Sequence, residues 1–210
     1  MNKKIITWLV VLVLLIAGGF AFAVHYTNEP QDNGLASSTI KIIDNNIENG
    51  LDCAASLKYF VIQKTLTEFP GSNFLIKYKT NPGELFLCTY KVAKGDFEIK
   101  NAVAEYFLAI TDNFLILDQG TAPEPRQLVV YDLRSRKIVF NDSYAKPVEV
   151  AGDSITYWSK TTQKPTLQNC PDLSSYTENG LGAVIMSKVT VNLLSLDKKD
   201  LGLIKCLATQ

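Results

Sequence analysis

Histidine is nearly absent from this 210-residue sequence, and the single one, His25, lies near the N-terminus. A Ser-His-Asp or Cys-His catalytic unit further along the chain is therefore excluded for this chain acting alone. A zinc site built on histidine is excluded for the same reason. The phosphate-binding patterns G-x-x-x-x-G-K-[ST] and G-x-G-x-x-G are also missing. We expect no cofactor, no metal and a non-enzymatic role.

An excess of charge of one sign is lacking as well. The chain has 21 Lys and Arg residues and 21 Asp and Glu residues, so its formal net charge is zero. A neutral chain has no electrostatic reason to bind nucleic acid, and we expect no such partner. Its composition, 47% apolar and 20% charged, is that of an ordinary globular protein.

The longest apolar run follows a short basic segment at the N-terminus. Residues 5–24 contain no charge and come directly after Lys3 and Lys4. Twenty apolar residues can cross a bilayer as a helix, and the lysines would keep the N-terminus in the cytoplasm. The same run ends in the small-residue pattern AFA, residues 21–23, which also fits a cleaved signal peptide. Both alternatives remain open from the sequence.

Both alternatives export the rest of the chain. We divide it into a transmembrane anchor or signal peptide (1–26), a flexible linker (27–39) rich in polar residues, and one extracytoplasmic β-rich domain (40–210). The domain would be held at the cell membrane by a single pass. After cleavage near Ala23 it would instead be periplasmic or secreted.

The four cysteines fit an oxidising location. Cys53, Cys88, Cys170 and Cys206 form no C-x-x-C pair, which gives no sign of a zinc ribbon or thioredoxin-like motif. An even number of cysteines after an export segment favours disulfides, for which three connectivities are possible. We favour Cys53–Cys88 and Cys170–Cys206 because these pairs are closest in sequence. Four buried free thiols are the alternative.

Apolar and β-branched runs separated by turn residues predict nine or ten strands and at most one short helix. Hairpins are expected around residues 81–83, 111–113 and 134–137, with a final one around 197–200. Residues 51–58 are compatible with a helical turn instead. The nearly continuous apolar runs at 114–118 and 127–133 are typical of strands covered on both faces. The fold class is therefore all-β and mainly antiparallel, as a sandwich, a barrel-like or a propeller-like structure.

One hairpin has a familiar pattern. The run VVYDLRSRKIVF, residues 129–140, resembles the outer hairpin of β-propeller blades, in which a strand ending in Tyr-Asp-Leu meets a basic turn and a second strand. This local resemblance implies meandering β-structure.

The segment LILDQGTAPEPRQLVVYDL contains the best binding candidate. Two apolar runs flank a nine-residue insert, 118–126, in which Pro123 and Pro125 restrict the backbone. A stiff loop loses less entropy on binding, and Arg126 could contact a carboxylate or phosphate. Asp118, Glu124 and Arg126 are the candidate binding residues. Alternatively, the insert is a connector in which Arg126 pairs with Asp118.

We therefore expect an exported or membrane-anchored β domain that acts as a binding or envelope structural module, with a protein or other envelope component as its partner. Two alternatives are kept. The first is an exported hydrolase using two carboxylates, for example on glycan, which needs them about 5–10 Å apart in a cleft. The second is a single-pass subunit of a membrane assembly, whose N-terminal helix contacts partners.

Overall fold

The computed structural model describes residues 41–46 and 50–210, and for 41–46 it describes the backbone alone. The predicted anchor or signal segment (1–26) and linker (27–39) lie outside these residues. Within the described ranges, no helix is both long enough and apolar enough to cross a membrane.

The first described part of the chain forms a five-stranded antiparallel sheet. Each strand pairs with the next one along the chain, so the sheet is a simple meander. Its strands are β1 (Lys41–Asn46), β2 (Leu51–Ala55), β3 (Tyr59–Thr65), β4 (Ser72–Tyr78) and β5 (Phe97–Ile99).

The rest forms a seven-stranded antiparallel sheet, again with the strands in chain order. Its strands are β6 (Glu105–Ile110), β7 (Phe114–Gln119), β8 (Arg126–Asp132), β9 (Lys137–Ala151), β10 (Ser154–Lys160), β11 (Gly182–Asn192) and β12 (Lys198–Thr209). One short helix, α1 (Leu173–Glu178), lies between β10 and β11. The predicted mainly antiparallel β class is therefore confirmed for the described residues.

Three clusters of buried apolar side chains stabilise these sheets. The first belongs to the seven-stranded sheet alone and includes Phe114 and Ile116 of β7. The second combines side chains of both sheets, among them Leu115 and Leu117 of β7. The third belongs to the five-stranded sheet and is covered by Phe86, Cys88 and Tyr90.

Strand β7 contributes to two of these clusters. Successive residues of a strand point to opposite faces, so Phe114 and Ile116 pack on one side while Leu115 and Leu117 pack on the other. The prediction that residues 114–118 form a strand covered on both faces is confirmed, and all five are buried.

The predicted hairpins at 111–113 and 134–137 are confirmed as β6–β7 and β8–β9. The final hairpin is present, but its turn lies earlier than predicted, between Asn192 and Lys198. The reason is local, because Asn192 Oδ1 accepts hydrogen bonds from the backbone N–H groups of Leu194 and Ser195. Such an Asx turn reverses the chain before the charged residues are reached.

The predicted hairpin at 81–83 is wrong. Strand β4 pairs with β5 rather than with residues 84–92, which form no strand. Their alternating apolar pattern separates residues that pack against the five-stranded sheet from residues that face solvent. Phe86, Cys88 and Tyr90 pack against the sheet, while Leu85 and Leu87 are exposed. The helical turn considered for 51–58 is also wrong, because residues 51–55 form β2.

Both favoured cysteine pairs are at disulfide distance. The Cα–Cα separations are 5.9 Å for Cys53–Cys88 and 5.1 Å for Cys170–Cys206, within the usual range. The first bridge attaches the 84–92 segment to β2. The second attaches the polar segment before β11 to the last strand.

We expect the double substitution Cys53→Ser with Cys88→Ser to lower the free energy of unfolding by about 2–4 kcal/mol, because it releases a 35-residue loop. The third cluster would also lose its cover, so the variant should bind the dye ANS more strongly. Urea unfolding and ANS fluorescence measure both effects.

The matched control is Cys170→Ser with Cys206→Ser, which opens a loop of 36 residues. It should lose similar stability without the gain in dye binding. Wild-type stability in the first variant would show that the bridge does not constrain the fold.

Candidate functional site

The structure brings two of the three predicted binding residues, Asp118 and Arg126, into contact. Asp118 lies near the end of β7 and Arg126 begins β8, and Arg126 Nε is 2.8 Å from Asp118 Oδ1. Arg126 Nη2 also donates to the carbonyl of Gly120. Glu124 Oε1 accepts the backbone N–H of Lys146 at 2.9 Å. Arg126 thus contacts the end of β7 and the insert backbone, whereas Glu124 contacts β9.

Asp118 is almost fully buried beside Arg126, and the two charges offset each other. Their separation is that of an ion pair, although the N–H bond is not aligned with the oxygen. The Arg126 guanidinium also lies 5.2 Å from the ring centre of Tyr106. Binding of an external anion by Arg126 would have to compete with Asp118. The binding role of this trio stays a prediction.

Tyr144 of β9 extends this buried polar group. Burial raises the pKa of its hydroxyl, and the nearby Asp118 carboxylate raises it further. The hydroxyl has no well-aligned hydrogen-bond partner among the described residues. The hydroxyl therefore stays neutral, and the ring packs within the first cluster beside Tyr157.

A cavity of about 670 Å³ opens beside the same insert. It is formed by the β3–β4 turn, the segment before β6, the end of β7 with the first insert residues, and β8. The lining residues are Phe69, Pro70, Asn101, Ala102, Val103, Ala104, Gln119, Gly120, Thr121 and Gln127. The insert thus contributes Gln119, Gly120 and Thr121 to the cavity. Its predicted binding residues Asp118, Glu124 and Arg126 do not line it.

The side chains that line the cavity are all uncharged. Its polar side chains are three amides and one hydroxyl, and its largest apolar groups are Phe69 and Val103, both exposed. Amide side chains both donate and accept hydrogen bonds. A mainly apolar pocket with a few placed polar groups is typical of small-molecule sites. This arrangement fits a neutral ligand that has hydrogen-bonding groups and an apolar face.

One wall depends on close backbone contact at Gly71. Its φ is +103°, and a Cβ placed there would lie 2.4 Å from Asn101 Oδ1 and 2.7 Å from Ala104 Cα. Asn101 connects the two segments by donating to the carbonyl of Pro70 at 3.0 Å and accepting the backbone N–H of Glu105 at 3.1 Å. Only glycine lets the turn and this segment approach so closely.

Glu105 contacts the cavity lining through Gln119. It is buried, and burial raises the pKa of its carboxyl group. Its Oε1 accepts long contacts of 3.4 Å from Gln119 Nε2 and from the Tyr131 hydroxyl. Burial, together with the carboxylate of Glu105, raises the pKa of Tyr131 to about 12. Glu105 therefore orients Gln119, which lines the cavity.

A second polar cluster lies on β9, β10 and β12. Asp142 Oδ2 accepts hydrogen bonds from Tyr157 and Ser159, both at 2.7 Å, and from Lys198 at 2.8 Å. Lys198 Nζ is also 2.8 Å from Ser159 Oγ. A serine next to a lysine occurs in some hydrolases. Here Lys198 Nζ contacts the Asp142 carboxylate as well as the serine hydroxyl.

This cluster instead links the edge strand to the sheet interior. Burial raises the pKa of Asp142, but the hydrogen bonds from Lys198, Tyr157 and Ser159 outweigh it, and the net pKa is lowered. Among residues 50–210, no group of three or more potential ligand side chains is arranged to hold a metal ion.

Comparisons with known proteins add no relative: no family model, no curated protein and no solved structure matches this chain.

The sequence did not identify Phe69, Val103 or Gln127 as site residues, because they lie on three separated segments. The sequence signal that could have found one of them is the aromatic Phe69 directly before the turn residues Pro70 and Gly71, where an aromatic side chain is placed at the surface.

We expect Gly71→Ala to destabilise the protein by about 1–3 kcal/mol beyond the strain of its positive φ, because the new Cβ overlaps neighbouring atoms. Gly95→Ala is the control, since Gly95 has a similar φ of +97° with no atom within 4 Å of the added Cβ. Thermal and urea unfolding compare them. Equal losses at both positions would contradict the close approach.

We also expect Asp142→Asn to lower the free energy of unfolding by about 2–4 kcal/mol at pH 7, because Lys198 would lose its charged partner. A lowered folded pKa gives stability that is present above the ordinary value of 3.8 and lost as the pH falls through the folded pKa. The difference between variant and wild type should therefore shrink below about pH 4.

Asp172→Asn, at an exposed position that makes no side-chain cap hydrogen bond, serves as the control and should be neutral. Urea unfolding at pH 7 and pH 3 provides the measurement. A loss at Asp142 that is the same at both pH values would rule out the ionised cluster.

Proposed function

We propose that this chain is an extracytoplasmic, membrane-anchored binding module that holds a neutral ligand in the cavity beside the insert. The uncharged lining of that cavity, with its amides and the exposed ring of Phe69, is the observation that carries the ligand class. The apolar run at residues 5–24 supports the anchor.

The cysteine pairs support a location outside the cytoplasm. Both pairs lie at bonding distance, and none of the four cysteines is left unpaired. Disulfides persist in oxidising compartments and are rare in the cytosol.

A saccharide is the simplest ligand that fits the lining. Sugar hydroxyls both donate and accept, as the side chains of Asn101, Gln119 and Gln127 do. The apolar C–H face of a sugar ring can pack on an exposed aromatic ring such as Phe69. No carboxylate lines this cavity, so the pair that glycoside hydrolysis needs is not offered there. We therefore prefer binding over the hydrolase alternative.

The test uses the full chain in detergent micelles with two neutral oligosaccharides, cellotriose and chitotriose, as probes. We expect saturation-transfer NMR to detect binding of at least one. Phe69→Ala should weaken that binding about 10-fold, because fully burying a Phe side chain is worth about 1.5–3 kcal/mol.

Leu167→Ala is the matched control, because Leu167 is also an exposed large apolar residue and lies outside the cavity lining. It should leave binding unchanged. Two results would contradict the proposal: no binding of either probe, or binding that is lost in Arg126→Ala while Phe69→Ala retains it.

A further inference from the structure

Three amide side chains line the cavity, and they differ in how they are held. Both ends of the Asn101 amide are engaged, because its nitrogen donates to the carbonyl of Pro70 and its oxygen accepts the backbone N–H of Glu105. Gln127 is exposed, and its side chain makes no hydrogen bond to any described residue. Gln119 is the intermediate case, since only its nitrogen is engaged, 3.4 Å from Glu105 Oε1.

The sheet register brings Glu105 to Gln119. The two residues are directly opposite each other on β6 and β7, so their side chains lie on the same face. Asp118 precedes Gln119 in the strand and therefore points to the other face, together with its partner Arg126. Glu105 is 3% exposed, so its carboxyl group is separated from solvent and from that ion pair.

The charge of Glu105 decides which end of the Gln119 amide faces it. An ionised carboxylate accepts hydrogen bonds and donates none. Only the NH2 end of Gln119 can then face Glu105, because turning the amide would bring two acceptor oxygens together. The oxygen Oε1 of Gln119 is left as an oriented acceptor at the cavity, and no described residue donates to it.

The groups around Glu105 hold this arrangement without adding a charge. Tyr131 of β8 is the titratable side chain that contacts it, with the hydroxyl 3.4 Å from Oε1. Burial and the Glu105 carboxylate raise the pKa of Tyr131 to about 12, so the hydroxyl stays neutral and donates. The segment before β6 and the β3–β4 turn contribute Asn101 and Gly71, which carry no charge. Burial raises the pKa of Glu105 above its ordinary value of 4.5, so the carboxylate gains its proton at a higher pH than an exposed one.

From this geometry we infer that Glu105 determines part of the ligand specificity of the cavity. Its carboxylate fixes Gln119 as a hydrogen-bond acceptor, so a ligand must present a donor at that point. Protonated Glu105 both donates and accepts, so either end of the Gln119 amide satisfies it and the selectivity is lost. Glu105 is thus a positioning residue that acts through Gln119. The inference rests on the proposed function, because it takes the cavity as the ligand site.

The first test needs no ligand and measures the order of the glutamine side-chain amides by 15N NMR relaxation in the full chain. At pH 7 the Gln119 amide should be more ordered than the Gln127 amide. The difference should shrink at least 2-fold when the 13C signal of the Glu105 carboxyl shows protonation, and in Glu105→Gln it should be small at every pH. Gln63 is the control, because its NH2 group donates to the hydroxyl of Ser72 at 2.9 Å and that bond does not titrate.

The second test measures selectivity by saturation-transfer NMR at pH 7. It compares cellotriose or chitotriose, whichever binds, with the permethylated form of the same sugar, which keeps acceptor oxygens and lacks hydroxyl donors. Wild type should prefer the unmodified sugar, and this preference should fall about 5-fold in Glu105→Gln, close to the effect of one ordinary hydrogen bond. Glu178→Gln, the same change at an exposed position of α1, should leave the preference unchanged.

Together the two tests separate the possible failures. A Gln119 amide as mobile as that of Gln127 at pH 7 overturns this inference, whether or not a sugar binds. A preference for the unmodified sugar that survives in Glu105→Gln also overturns it, and leaves the proposed function standing. An ordered Gln119 that loosens when Glu105 is protonated, in a chain that binds neither sugar, supports the role of Glu105 and overturns the proposed function.

Discussion

Strand β7 is the element on which the rest of the structure depends. It is buried on both faces, with Phe114 and Ile116 in one cluster and Leu115 and Leu117 in another. The face with Leu115 and Leu117 packs against side chains of the five-stranded sheet. The face with Phe114 and Ile116 packs against side chains from other strands of the seven-stranded sheet. The insert begins at the end of this buried strand, so β7 fixes one wall of the cavity in place.

Much of the fold could be predicted from the sequence, because hairpins between neighbouring strands are local. The β6–β7 and β8–β9 hairpins followed from apolar runs and turn residues, and double-sided burial of β7 followed from its unbroken apolar run. The segment 84–92 could not be predicted in this way. Its alternating apolar pattern is that of a strand, but the segment packs on the face of the five-stranded sheet instead of pairing with a strand. It is also bonded to Cys53, 35 residues before Cys88. Non-local packing of this kind overrides a local pattern.

The candidate site was predicted only in part. The insert was identified from its prolines and its flanking apolar runs, and Gln119, Gly120 and Thr121 within it do line the cavity. Its charged residues contact each other or neighbouring backbone, since a buried carboxylate such as Asp118 requires a partner. The remaining lining residues come from turns far apart in sequence, so only the folded chain brings them together.

The proposed location outside the cytoplasm would favour the Cys53–Cys88 disulfide, which holds Cys88 over the third cluster, and the proposed binding role depends on the same location. Mass spectrometry of the full chain, isolated from native membrane and envelope fractions and digested without reduction, tests it most directly. We predict an N-terminal peptide containing Met1, together with linked peptides for Cys53–Cys88 and Cys170–Cys206. Four free thiols in the isolated protein would contradict that location and with it the proposed function.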